Sequence, residues 1–69
     1  MKKITIIFGD KLLQIDANQT LEDFLRSESV DTRNIATSVN SDLILRHERK
    51  DKILKEKDRV NIFGPITGG

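Results

Sequence analysis

The chain contains no cysteine. That absence removes disulfides, thiolate zinc sites, iron–sulfur clusters and a cysteine nucleophile. Small secreted domains commonly offset a small core with disulfides, so their exclusion makes the cytoplasm the expected compartment. No apolar run approaches the roughly 20 residues that span a bilayer. Met1-Lys2-Lys3 leads into Ile4-Thr5-Ile6-Ile7-Phe8, but Gly9-Asp10-Lys11 follows at once and no small-residue cleavage site is present. The stretch therefore does not read as a signal peptide. There is no glycine-rich phosphate loop, low-complexity segment, internal repeat or linker. Neither sign of charge dominates, since 33% of residues are charged and the net charge is +1. Neither nucleic acid nor a membrane is expected as a partner.

What is present is enough for one domain of 69 residues. A chain of this length buries only about 60% of its unfolded surface, so its core is small. Lys3 to Phe8 is rich in β-branched residues and reads as a strand, with Ile4, Ile6 and Phe8 on one face and Thr5 and Ile7 on the other. Gly9-Asp10 separates it from a second strand-like run, Lys11 to Asp16, and glycine in the first central position suits a type II′ hairpin. Leu13 and Ile15 fall on the core face.

Thr20 is a helix N-cap, with Asp23 three residues on as a weaker form of the capping box. Leu21, Phe24 and Leu25 make one apolar stripe. The helix is expected to end near Ser27 to Ser29, with Val30 tucked beneath it. Ile35 to Asn40 and Leu43 to Leu45 are short strand candidates around the turn residues Asn40-Ser41-Asp42.

From Arg46 to Arg59 charge dominates, with seven Lys/Arg and four Asp/Glu. Ile53 and Leu54 are expected to anchor a helical turn or loop by pointing inward. The run could steer the chain toward an acidic partner, but its interleaved acids favour a solvated, self-compensated face. It has no aromatic residue for nucleic-acid stacking. His47 has no second metal-ligand type at suitable spacing and reads as an exposed loop histidine. Arg59 to Phe63 is the last strand, with Val60 and Ile62 inward.

The order strand–strand–helix–strand–strand–strand has one compact solution. It is an α+β, ubiquitin-like β-grasp fold: a mixed sheet of about five strands packed on one helix, the first and last strands parallel at the centre. Residues 1–63 form the β-grasp domain and 64–69 a flexible C-terminal Gly-Gly tail. Glycine has no Cβ, so Gly68-Gly69 can thread a channel too narrow for any other residue. From the tail alone, a frayed end and a working terminus are both open readings. Ile7, Leu12 and Phe63 fall opposite the helix. They either form a partner-docking patch or fill gaps at the sheet edges, and docking is the reading carried forward.

Asn18-Gln19-Thr20-Leu21, Val39-Asn40, Asp58-Arg59-Val60 and Gly68-Gly69, in that order and spacing, carry a resemblance. With these landmarks the whole chain resembles the ThiS sulfur-carrier family. Leu45-Arg46-His47-Glu48 departs from that family's proline–arginine step and following aromatic residue, and Gly64-Pro65-Ile66-Thr67-Gly68-Gly69 resembles the tail of MoaD, the small subunit of molybdopterin synthase.

The resemblance implies a carrier rather than an enzyme. A ThiF/MoeB-like adenylyltransferase would use ATP to adenylate Gly69, and a persulfide would convert the adduct to a thiocarboxylate. Ile66, Thr67 and Gly68 would give access to that carboxyl group. The receiving enzyme would be a thiazole synthase in thiamine biosynthesis, or the large subunit of molybdopterin synthase. No cofactor is expected on the chain itself. A ubiquitin-like modifier joining Gly69 to lysines, and a binding module with an inert tail, are the alternative classes.

Overall fold

A computed structural model of the protein describes residues 2–30 and 32–64. Strand β1 is Lys3–Phe8, β2 is Lys11–Asp16, helix α1 is Leu21–Ser27, β3 is Ala36–Val39, β4 is Asp42–Ile44 and β5 is Arg59–Phe63. A 3₁₀ segment, Arg46–Asp51, lies between β4 and β5. The strands form one sheet in the order β2-β1-β5-β3-β4. β1 and β5 are parallel, and the other neighbouring pairs are antiparallel. This is the expected β-grasp arrangement.

The first hairpin forms where the period-two reading places it. Phe8 pairs with Lys11 across the turn, and Gly9 holds φ +66°. Asp10 has no positive φ, so the torsions match type II′. The second hairpin closes through Asn40 and Ser41, at φ +53° and +74°. Two consecutive positive φ values define a type I′ turn, whose twist suits adjacent strands.

Helix α1 has only seven residues. Helices shorter than about 12 residues are marginal alone, so packing must hold it. Leu21, Phe24 and Leu25 are all buried, and the Phe24 ring meets Phe8 edge to face at 5.0 Å. Thr20 Oγ1 accepts the Asp23 N–H at 3.1 Å. At the other end Ser29 N–H donates to Arg26 O, and Val30 N–H donates to Leu25 O. That pair of bonds is a Schellman motif. Ser29 occupies its left-handed position at φ +59°, where glycine is usual. Val30 packs against the core, as expected.

The core is Ile6, Ile15, Leu21, Phe24, Leu25, Val39, Leu54 and Val60. It lies between α1 and one face of the sheet, and Val39 pairs with Val60 across β3 and β5. Leu54 joins it from the long connection to β5.

Ile53 does not point inward; it is 41% exposed while Leu54 is 1% exposed. The reason is local geometry. Leu21 N–H donates to Lys52 O, Leu54 N–H donates to Gln19 O, and Thr20 bridges Ile53. Residues 52–54 therefore run extended beside 19–21, and extended backbone sends neighbouring side chains to opposite sides.

Nor is the basic run uniformly solvated, because Arg49 is only 3% exposed. Its guanidinium donates to Thr37 Oγ1 at 3.2 Å, Thr32 O at 3.1 Å and Ile35 O at 2.8 Å. Thr37 in turn donates to Ile44 O at 2.9 Å. Arg49 thus ties the 3₁₀ segment to β3 and to the loop before it. The other basic side chains of the run are exposed, apart from half-buried Lys52.

Candidate functional site: the end of the central strand and the outer sheet face

Gly69, Gly68, Thr67 and Ile66 lie outside the described residues. What the structure describes is the platform from which they continue. β5 occupies the centre of the sheet and ends at Phe63, whose register partner is Ala36. Gly64 follows, exposed and with φ +114°.

Entry into β5 is held by a polar lock. Asn40 Nδ2 donates to Asp58 Oδ1 at 2.8 Å, and Arg59 N–H donates to Asn40 Oδ1 at 2.9 Å. Asp58 Oδ2 accepts the Lys55 N–H at 2.8 Å, closing the turn in which Lys57 holds φ +67°. Toward β1, Lys57 N–H donates to Thr5 O and Ile7 N–H to Asp58 O. Glu56 Oε1 accepts the Thr5 N–H at 2.9 Å. The landmarks Val39-Asn40 and Asp58-Arg59-Val60, separate in sequence, are one structural joint. Asn18-Gln19-Thr20-Leu21 is another, since it caps α1 and pairs with residues 52–54. These landmarks build the scaffold, and the fourth, Gly68-Gly69, lies outside the described residues.

Ile7, Leu12 and Phe63 sit on the sheet face away from α1. Leu12 is 72% exposed, Phe63 51% exposed, and Ile7 half-buried. The structure brings Ile7 and Leu12 together as direct cross-strand partners. It does not bring Phe63 to them. Ile7 pairs with Arg59, and Phe63 lies four residues further along, roughly 13 Å at about 3.3 Å per residue.

Phe63 instead has neighbours that the sequence reading did not select. Leu43 pairs with Ser38, and Ala36 pairs with Phe63, all on the same face. Leu45 is two residues beyond Leu43 in extended backbone, and the two leucines are 47% and 62% exposed. The outer face therefore carries a Phe63–Leu43–Leu45 patch and an Ile7–Leu12 patch, with Arg59, Asn61 and Ser38 between them. Alternation along Leu43-Ile44-Leu45 was the signal available for the two leucines: with Ile44 packed on the core, its neighbours must face out.

His47 is exposed beside Leu43, Ile44, Glu48, Asp51 and Lys52 in a shallow groove. Among the described residues, no group of three or more His, Cys, Asp or Glu side chains could hold a metal ion. No helix there is long and apolar enough to cross a membrane.

A helix on one face of a five-stranded sheet, with the first and last strands parallel at its centre, defines a ubiquitin-like β-grasp protein. The solved structure of the thiamine biosynthesis protein ThiS from Geobacter metallireducens superposes with a TM-score of 0.82, covering 96% of this chain and all (100%) of that one, at 16% identity. The family is given by sequence: the ThiS family model matches residues 2–69, and the chain belongs to the ThiS family. It is also similar to the sulfur carrier protein ThiS of Escherichia coli (strain K12), 27% identical over 64 residues that span 93% of this chain and 97% of that protein.

Proposed function

We propose that the protein is a sulfur carrier whose Gly69 carboxylate is adenylated and then converted to a thiocarboxylate, and that it serves thiazole formation in thiamine biosynthesis. The observation that carries this reading is the family match, which runs through residue 69 and so includes Gly68-Gly69. An α-carboxyl group has a pKa of roughly 3.3–3.7, so at neutral pH it is an unreactive carboxylate. Its oxygen attacks the α-phosphorus of ATP, and pyrophosphate leaves. A persulfide sulfur then attacks the acyl carbon, and AMP leaves. Cleavage of the remaining S–S bond by a thiol releases the thiocarboxylate and leaves a disulfide on the enzyme side. With no cysteine of its own, the chain is substrate throughout. ATP, persulfide and thiol belong to a ThiF/MoeB-like adenylyltransferase and its sulfur donor.

Extended, Gly64 to Gly69 reaches on the order of 20 Å at about 3.3 Å per residue. That length lets the sheet face dock while Gly69 enters a separate catalytic centre. The outer patches of Phe63 with Leu43 and Leu45, and of Ile7 with Leu12, supply the docking surface. Phe63→Glu should weaken partner binding while circular dichroism stays native, and unfolding would assign Phe63 to the core instead.

The test is mass spectrometry after incubation with the adenylating enzyme, ATP and a persulfide donor. The intact chain should gain the mass of one sulfur in place of one oxygen, and a chain lacking Gly69 should gain nothing. A gain on the shortened chain, or none on the intact one, refutes the reading. The Gly64-Pro65-Ile66-Thr67 stretch, with its likeness to MoaD, supports molybdopterin sulfur transfer as the second reading. Affinity capture from cells decides between them by recovering a thiazole synthase or a molybdopterin synthase large subunit.

A further inference from the structure

β5 runs past the strand beside it. β1 turns away at Gly9-Asp10, and its pairing with β5 ends at Phe8–Val60. β5 continues to Phe63 with β3 alone at its flank. Backbone groups alternate along a strand, so successive residues bond to opposite neighbours. Arg59 O accepts from Asn40 on the β3 side, and Val60 O accepts from Gly9 on the β1 side. Ile62, two residues beyond Val60, therefore turns its N–H and C=O toward the β1 side, where β1 no longer runs. A further rung would be an Ile62 N–H bond to Gly9 O, and there is none among the described residues. In the middle of the sheet, Ile62 thus keeps the open donor and acceptor of an edge strand.

The gap opens into a groove of about 340 Å³ between the end of the sheet and the C-terminus of α1, where Glu28 is the capping residue. Phe8, Leu13 and Ile62 line it and pack against the core. Asp10, Lys11 and Glu28 stand at its rim, all exposed. Among the described residues, neither Asp10 nor Glu28 is in an ion pair. Two acids against one base leave the rim net negative.

We propose that this groove receives an extended segment of a partner protein, one residue of which pairs with Ile62 while a flanking lysine or arginine meets Glu28 and Asp10. The N–H and C=O of one β residue face the same way, and another strand supplies the matching acceptor and donor at that spacing. Paired residues point to the same face. The segment's side chain opposite Ile62 therefore falls on Phe8 and Leu13, and an apolar one fits. The proposal deepens the carrier reading above, since the partner would hold β5 from the core side as well as through the outer patches. The binding measurement below does not depend on adenylation, so the two readings fail separately.

The probe is an acetylated, amidated pentapeptide with valine at its centre, a threonine on each side and a lysine at each end, titrated into the isotope-labelled full chain. Amide shifts should centre on Gly9, Leu13, Glu28 and Ile62. The Kd should be on the order of 1 mM, as suits two backbone bonds and one apolar side chain. Methylating the valine nitrogen removes a donor and should weaken binding about ten-fold. Glu28→Lys, which a helix C-terminus tolerates, should weaken it about three-fold, and glutamates in place of the peptide's lysines should restore it. In the unliganded chain, the Ile62 amide should exchange at least about ten-fold faster than those of Val60 and Asn61.

An Ile62 amide as protected as its neighbours in the dilute chain overturns the proposal, because the chain then fills its own groove. Protection that rises with protein concentration overturns it in favour of a second copy. Absence of binding, equal affinity for the plain and methylated peptides, or shifts confined to Leu12, Leu43 and Phe63 on the outer face overturns it as well. A chain that binds the peptide as described but gains no sulfur refutes the carrier reading and leaves the groove assigned.

Discussion

Replacing Asp58 by alanine tests how the central strand is held. Asp58 is 8% exposed, and its carboxylate accepts two hydrogen bonds at 2.8 Å, from Asn40 Nδ2 and the Lys55 N–H. Alanine leaves both donors without their partner. It also frees Asn40, whose Oδ1 accepts the Arg59 N–H at the start of β5. A hydrogen bond to a charged group contributes about 1.5–3 kcal/mol. The two share one acceptor group and are not additive, so the combined loss is about 2–4 kcal/mol. A domain of this size has roughly 4–10 kcal/mol of stability in all. The variant should therefore melt roughly 8–32 °C lower, at about 4–8 °C per kcal/mol. With no tryptophan or tyrosine in the chain, urea unfolding is best followed by far-ultraviolet circular dichroism. Asn40→Ala should cost a similar amount, plus about 1 kcal/mol for placing alanine at φ +53°. The double variant isolates the pair, with an expected coupling of about 1.5–3 kcal/mol. A coupling under about 0.5 kcal/mol, the ordinary scatter of independent sites, would refute the lock.

Ser29→Gly should stabilise the domain by about 0.5–1 kcal/mol, because glycine relieves the left-handed torsion of the Schellman motif; a lower melting temperature would contradict that assignment. Arg49→Ala should destabilise by about 2–3 kcal/mol through three lost hydrogen bonds, and Lys50→Ala by less than about 0.5 kcal/mol. Equal effects at the two positions would return Arg49 to the solvated run. Leu54→Ala should cost about 2–5 kcal/mol and Ile53→Ala under about 1 kcal/mol, as read from urea midpoints; the reverse order would mean that the 52–54 segment is out of register.

The elements visible in the sequence were those whose causes are local. Alternation in Lys3 to Phe8, the Gly9-Asp10 turn, the Thr20 cap and the Leu21-Phe24-Leu25 stripe each act within a few residues of themselves. Element order then left one arrangement, with β1 beside β5. Ile53 was misplaced because adjacent apolar residues were treated as a unit, although in extended chain only one of two neighbours can face the core. Arg49 was hidden by company: seven Lys/Arg in one stretch look alike, and its acceptors, mostly backbone oxygens, leave no mark in composition. Asn40 and Asp58 were landmarks of resemblance whose purpose appeared only when folding brought them within 2.8 Å. On the outer sheet face, alternation gives the outward side of Phe63, Leu43 and Leu45 singly, but their grouping was not legible because it depends on cross-strand register.

Among the described residues, the last strand in chain order is also the strand placed in the middle. During translation the β1–β2 hairpin, α1 and the β3–β4 hairpin leave the ribosome first. They cannot close the sheet, because β5 must lie between β1 and β3. Such non-local pairings form late. Folding therefore waits for Phe63 to emerge, and a nascent chain that stalls before Arg59 remains two hairpins and a helix without a centre, open to proteases. Only a chain synthesised through Phe63 can close the sheet, so a folded domain is itself a sign that β5 has been translated.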